Sequence, residues 1–236
     1  LVDHGRTPPL GSGGGGQAGL GLGALRERSH PSTLVQALAH AHIGVLAAGR
    51  SERAGVRVNP VQTPSPDALV RAESLIAVIP DYPQPGILFR DIMPLLADDA
   101  ALRATIDALI EPFAGTYDVV AGIEARGFLL AGAAAMAAGV GLIPIRKAGK
   151  LPRPAASVSY ALEYGTAEIE AHDDMPHGSR VLLLDDVLAT GGTIAAARTL
   201  VERLGGSVAG TAVLLELDGL GGRAVAGSDI HAVFHA

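Results

Sequence analysis

The sequence predicts an α/β fold: an open, mainly parallel β-sheet flanked by helices, with a small hood or lid region. Two observations carry that prediction and a third bounds its size. Val181 to Leu184 is an aliphatic run without polar alternation, as expected of a central strand covered on both faces. It leads through Asp185-Asp186 and a Thr-Gly-Gly-Thr turn into a stretch where Ile194, Ala197, Leu200, Val201 and Leu204 recur at helical spacing until Gly205-Gly206. Strand, loop and helix in that order form the unit from which parallel sheets are built. The chain of 236 residues, 48% hydrophobic, suffices for one such domain with a real core and not for two large ones.

Taken in order, residues 1–66 stand apart, with the run Gly13 to Gly16, the Gly-Leu repeat Gly19 to Gly23, and Pro8, Pro9, Pro31, Pro60, Pro64 and Pro66. This composition favours disorder, so an unstructured N-terminal extension or a mis-assigned start is expected, with the folded domain at 67–236. Leu34 to Ala48 is apolar behind Arg26 and Arg28, yet too short to span a membrane. Pro66-Asp67 starts a helix whose apolar face is Leu69, Val70, Ala72, Leu75 and Ile76. Ile79 to Leu96 follows as a rigid, proline-fixed loop. Asp98 caps a helix through Ile110, ended by Pro112. Asp118 to Ile123 reads as a core strand, Gly127 to Ala138 as an Ala-rich helix and Leu142 to Ile145 as the next strand. Val158, Tyr160, Leu162 and Tyr164 alternate into Gly165, and Ala167, Ile169 and Ala171 alternate after it, which predicts a hairpin. The central strand should end at Asp185. Val208 to Leu217 and Ile230 to Phe234 complete the sheet, joined by a tight Gly-rich turn, LDGLGGR.

The chemistry concentrates after the central strand. Glycines at a helix N-terminus let backbone N–H groups approach an anion, and Thr190 and Thr193 add hydroxyl donors. The loop contains no lysine, which argues against a nucleotide phosphate loop of the Walker type. Adjacent Asp185 and Asp186 can accept hydrogen bonds from vicinal sugar hydroxyls, so the pattern suits a ribose 5-phosphate. The plainer alternative is a helix-capping Asp pair followed by a glycine turn.

VLLLDDVLATGGT resembles the 5-phosphoribosyl-1-pyrophosphate (PRPP) signature of type I phosphoribosyltransferases, and similarity to that family runs from Asp67 to Ala236. The resemblance implies that Asp185, Asp186, Ala189, Thr190, Gly191, Gly192 and Thr193 hold the ribose and its 5-phosphate. It also implies that Arg126 in EARGF and Lys147 in RKAGKLP face pyrophosphate; by residues alone, Arg126 could instead pair with Glu124. ILFRD is similar to the base-binding segment of the adenine-using branch, in which Leu88, Phe89 and Arg90 would meet the purine; read alone, Phe89 is better explained as core. SYALEYG resembles the family's flexible catalytic loop, making Glu163 the implied catalytic residue, with Tyr160 and Tyr164 beside it. Ala189 stands where 6-oxopurine transferases carry an Asp and orotate transferases a Thr, which favours adenine. The implied reaction joins adenine to PRPP to give AMP and pyrophosphate, with Mg²⁺ held mainly by PRPP oxygens and not by protein side chains. A homodimer in the cytoplasm is expected.

Net charge excludes less than it directs. At −6 the chain has no overall basic field, so neither nucleic acid nor an anionic membrane is an expected partner. A PRPP-sensing regulator that binds nucleic acid is the rival reading, weakened by the absence of a periodic helix-turn-helix in the extension. The lack of cysteine excludes disulfides and thiolate metal sites. His40 and His42, two residues apart, would face different sides of a helix and make a poor metal site.

Overall fold

Strand order in the central sheet explains the aliphatic run that dominates the sequence. The structure is a computed structural model and describes residues 61–161 and 165–236, all within the unit Gly55–Ala236. The expectations for the first sixty residues, for His40 and His42, and for Leu162, Glu163 and Tyr164 lie outside the described residues. The first described element, α1 (Pro66–Ser74), starts where the Ala68 N–H donates to the Ser65 hydroxyl at 3.2 Å and Pro66 occupies the first turn. Just before it, Val61 already packs against the core. Ala72 is the buried face of α1, whereas Val70, expected beside it, points to solvent.

The segment expected to be a proline-fixed loop contains a small antiparallel pair, β1 (Ala77–Pro80) with β2 (Leu88–Asp91), followed by the short helix α2 (Met93–Ala97). Helix α3 (Asp99–Ile110) is capped as the sequence indicates, the Ala101 N–H donating to Asp98 Oδ1 at 2.9 Å. Next come β3 (Val119–Ile123), α4 (Gly127–Ala138) and β4 (Gly141–Lys147), then the hairpin β5 (Ala156–Ala161) and β6 (Thr166–Ala171). The chain closes with β7 (Arg180–Leu188), α5 (Gly192–Arg203), β8 (Ser207–Glu216), α6 (Gly222–Ala226) and β9 (Ile230–His235). The five-residue helix α6 replaces the expected tight turn. Two glycines at its start and no apolar repeat left nothing for a periodicity argument to detect.

Seven strands form the sheet in the order β5-β6-β4-β3-β7-β8-β9. The pairs from β4 through β9 are parallel, and β6 joins β4 antiparallel, which hangs the hairpin on one edge. Strand β7 is therefore central, and its side chains divide between two cores: Val181 and Leu183 pack with α5, while Leu182 and Leu184 pack with α3 and α4. All four are fully buried. At about 25 cal/mol per Å², full burial of one such side chain contributes roughly 1.5–3 kcal/mol, and the two-sided demand is why the run shows no polar alternation. Among the described residues no helix is long and apolar enough to cross a membrane.

Candidate active site

The site grows from the place where β7 loses one neighbour. Pairing with β3 stops at Gly122 opposite Leu184, but pairing with β8 continues through Asp185, Val187 and Leu188. The strand thus runs three residues beyond the expected end at Asp185. Asp disfavours strands in general, and here the β8 ladder overrides that preference. The two carboxylates consequently sit on rigid strand backbone, 9% and 8% exposed. The Asp186 N–H donates to Asp185 Oδ1 at 2.8 Å. Burial first, and then the neighbouring Asp186 charge, push the Asp185 carboxyl well above the ordinary carboxylate range. Asp186 Oδ2 lies 2.8 Å from Arg126 Nη2, an ion-pair distance, but outside hydrogen-bond geometry, so among the described residues that buried oxygen has no hydrogen-bond partner.

Beyond them the chain turns into α5 around a cavity of about 370 Å³, within the usual range for a small-molecule site. Asp185, Asp186, Ala189, Thr190, Gly191 and Thr193 line it from the β7–α5 connection. Gly191, the residue before α5, has φ +83°, and no side chain caps this helix. Among the described residues its first amides have no side-chain acceptor, the condition under which a helix N-terminus takes an anion. Gly192 does not line the cavity; a Cβ placed on it would lie 3.3 Å from the Tyr160 ring and from the Ala161 carbonyl oxygen. Tyr160 reaches over from β5, lines the cavity, and accepts a 3.1 Å hydrogen bond from the Thr193 hydroxyl.

Lys147 and Glu124 also line the cavity. Glu124 accepts from the Lys147 N–H at 3.0 Å and pairs with Arg146 at 3.3 Å; desolvation would raise its carboxyl, but these partners hold it below the ordinary range. Lys147 makes no ion pair among the described residues. Arg126 does not pair with Glu124. Its guanidinium instead joins three groups: Asp186, the Arg90 carbonyl, to which Nη1 donates at 3.3 Å, and the Phe89 ring, whose centroid lies 5.1 Å from Cζ.

Leu88, Phe89 and Arg90 do not line the cavity; they belong to β2, and Arg126 is their link to the carboxylates. The Phe89 ring meets Tyr82 edge to face, centroids 5.1 Å apart, and Leu88 is 56% exposed. Sequence reading missed Glu170, which accepts from the Lys150 and Leu151 N–H groups at 2.9 and 2.7 Å and so shapes the loop after Lys147. Nothing in the alternation of β6 marks that glutamate, because its partners are backbone amides twenty residues away.

A mainly parallel sheet whose central strand ends in two buried carboxylates, followed by a glycine turn and a helix, is the architecture of an α/β protein with its site at the carboxyl ends of the strands. The family model described as "Phosphoribosyl transferase domain" matches residues 95–227, and the chain belongs to that family. Within it the similarity runs to adenine phosphoribosyltransferases. The one from Renibacterium salmoninarum is 61% identical over 163 residues, 68% of this chain and 90% of that protein. Among solved structures, the adenine phosphoribosyltransferase of Rhodothermus marinus is 46% identical with a TM-score of 0.69, the match covering 73% of this chain and all of that one. That of Saccharomyces cerevisiae, solved with an imino-altritol bisphosphate and adenine, is 36% identical with a TM-score of 0.67, covering 71% and 98%.

Proposed function

We propose that this protein is a pentosyltransferase that moves the 5-phosphoribosyl group of PRPP to N9 of adenine, releasing pyrophosphate and forming AMP. The observation that carries the reading is the junction at the end of β7, where two buried carboxylates and the start of α5, which no described side chain caps, share one cavity. In this reading the Asp185 and Asp186 carboxylates accept from the vicinal ribose hydroxyls, and Ala189 to Thr193 hold the 5-phosphate through amides and the two threonine hydroxyls. Arg126 and Lys147 neutralise the leaving pyrophosphate. The base enters beside Phe89, with Leu88 and Arg90 at its edge, a placement that rests on the resemblance of ILFRD, and adenine is taken as the base because the similar yeast protein was solved with it. The purine loses a ring proton as its nitrogen bonds to the sugar carbon, and Glu163 accepts it. That role rests on the resemblance of SYALEYG and on Ala189, which leaves the phosphate loop without a base.

Magnesium belongs to the same proposal. It binds through one or two carboxylates plus substrate phosphates and seldom through an all-protein cage; Asp185 and Asp186 are hard oxygen donors on the cavity wall. The ion, held mainly by PRPP, supplies charge neutralisation at the leaving group. A homodimer is supported by α4, a helix with no charged residue whose inner face is buried while Leu129 and Met136 stand 51% and 69% exposed; a second copy of the chain is the occupant that such a face suits. A cytoplasmic setting follows from the substrate, since PRPP is a multiply charged sugar that does not cross membranes unaided. The test is PRPP-dependent nucleotide formation with adenine, hypoxanthine, guanine and xanthine in competition. Adenine should be used in preference to the other three. Turnover of a 6-oxopurine at an equal or greater rate would overturn the assignment.

A further inference from the structure

Helix α6 touches the loop from Ala189 to Gly191 backbone against backbone. A methyl group built on Gly191 would overlap the Gly222 carbonyl oxygen and lie 3.1 Å from Ala226 Cβ. One built on Gly222 would overlap the Ala189 carbonyl oxygen and meet Leu188 Cδ1 at 2.8 Å. Neither residue can carry a side chain without the loop or the helix moving. The pressing element is itself fixed. Arg223 Nε donates to both carboxylate oxygens of Glu216 at 2.9 Å and Nη2 donates to Oε2 at 2.6 Å, while Nη1 donates to the Ser228 and Ile230 carbonyls at 3.0 and 2.6 Å. One guanidinium thereby ties α6 to the end of β8 and the start of β9, both strands of the central sheet. Gly222, Arg223 and Glu216 do not line the cavity, so they act on a ligand only through the loop.

We infer that α6 is a buttress for the anion-binding loop: Gly222 sets where Ala189 to Gly191 stand, the Arg223–Glu216 clamp sets where Gly222 stands, and affinity for the sugar 5-phosphate depends on both. These are positioning residues. The inference rests on the reading of Thr190 to Thr193 as the 5-phosphate loop, and the test separates the two. Ribose 5-phosphate and pyrophosphate are titrated calorimetrically against the full chain carrying Gly222→Ala, Arg223→Ala or Arg223→Lys, with Thr190→Val as the reference. A Cβ on Gly222 must displace the loop by roughly 1 Å, a shift that can cost on the order of 100-fold. Ribose 5-phosphate should bind about 10- to 100-fold more weakly to Gly222→Ala and Arg223→Ala, with Arg223→Lys between them and wild type, because lysine keeps the charge but loses the fork. Pyrophosphate affinity should stay within about twofold. In turnover, the KM for PRPP should rise while the KM for adenine holds. Equal weakening of both ligands would mean general damage and overturn the buttress, as would an unchanged Gly222→Ala beside a weakened Thr190→Val. If Thr190→Val also leaves ribose 5-phosphate binding untouched, the loop reading falls and the buttress with it. Should Gly222→Ala fail to fold, the two Arg223 variants decide by the same criteria.

Discussion

The β7 junction and the β1–β2 hood are built on opposite principles. At the junction, carboxylates less than a tenth exposed sit on a strand paired to β8, and the loop that follows is wedged against α6. In the hood, a two-stranded pair carries exposed Tyr82, Ile87 and Leu88, and Arg126 is the polar tie that joins Arg90 and Phe89 to the carboxylates. A two-stranded ribbon has little independent stability. The contrast teaches that the junction is prepared in advance, at a cost in like-charge burial, whereas the hood gains its order from what it contacts.

The largest expected effect lies on neither side of this divide. Glu163→Gln should lower turnover by roughly 10²- to 10⁴-fold, the usual range for a general acid or base, while PRPP binding persists. Turnover within a few-fold of wild type across pH 6 to 9 would make Glu163 a surface residue and leave the proton to solvent.

Asp185→Asn probes the prepared half. An amide presents a donor where a hydroxyl needs an acceptor, so PRPP binding should weaken by about 1.5–3 kcal/mol. Stability should move the other way. The folded Asp185 carboxyl titrates above the ordinary 3.8 because of burial and then the Asp186 charge. Between 3.8 and that raised value the folded state holds more protons than the unfolded state, so stability falls as pH rises through this window. Above it the ionised carboxylate carries its full cost, which Asn removes. Thermal unfolding at pH 7 should therefore show a higher Tm for Asp185→Asn, by about 2–4 °C for each kcal/mol relieved, and the gap should close toward pH 4. A Tm that drops at pH 7 would mean that the pair is structural and not held for a ligand.

Phe89→Ala probes the hood and should show the smallest effect. Stacking on a base is worth roughly 1–3 kcal/mol, so the KM for adenine should rise while affinity for PRPP changes little. Parallel loss for both substrates would erase the distinction between the halves.

The prepared half was the legible one. Val181 to Leu184 announces burial on both faces, and the periodicity of Ile194 to Leu204 announces α5, because both patterns are local records of the environment. The strand end was misplaced because Asp185 and Asp186 look like a terminus until β8 is seen to continue beside them. The hood strands were hidden by Pro80, Pro83 and Pro85, and α6 by its shortness and glycines. Arg126 was singled out, yet its partners were not, since Asp186 and Arg90 are brought to it by sheet topology that spacing along the chain does not encode.

The threefold engagement of Arg126 also offers a route by which one ligand can alter the affinity for another. A ligand that draws the guanidinium off Asp186 changes the surroundings of the Phe89 ring and the Arg90 carbonyl in the same movement. By reciprocity, whatever factor a sugar-phosphate ligand applies to base affinity, the base must return to the sugar-phosphate. Titrating adenine with and without saturating ribose 5-phosphate would read that shared factor as a coupling energy, and replacing Arg126 should carry it toward zero.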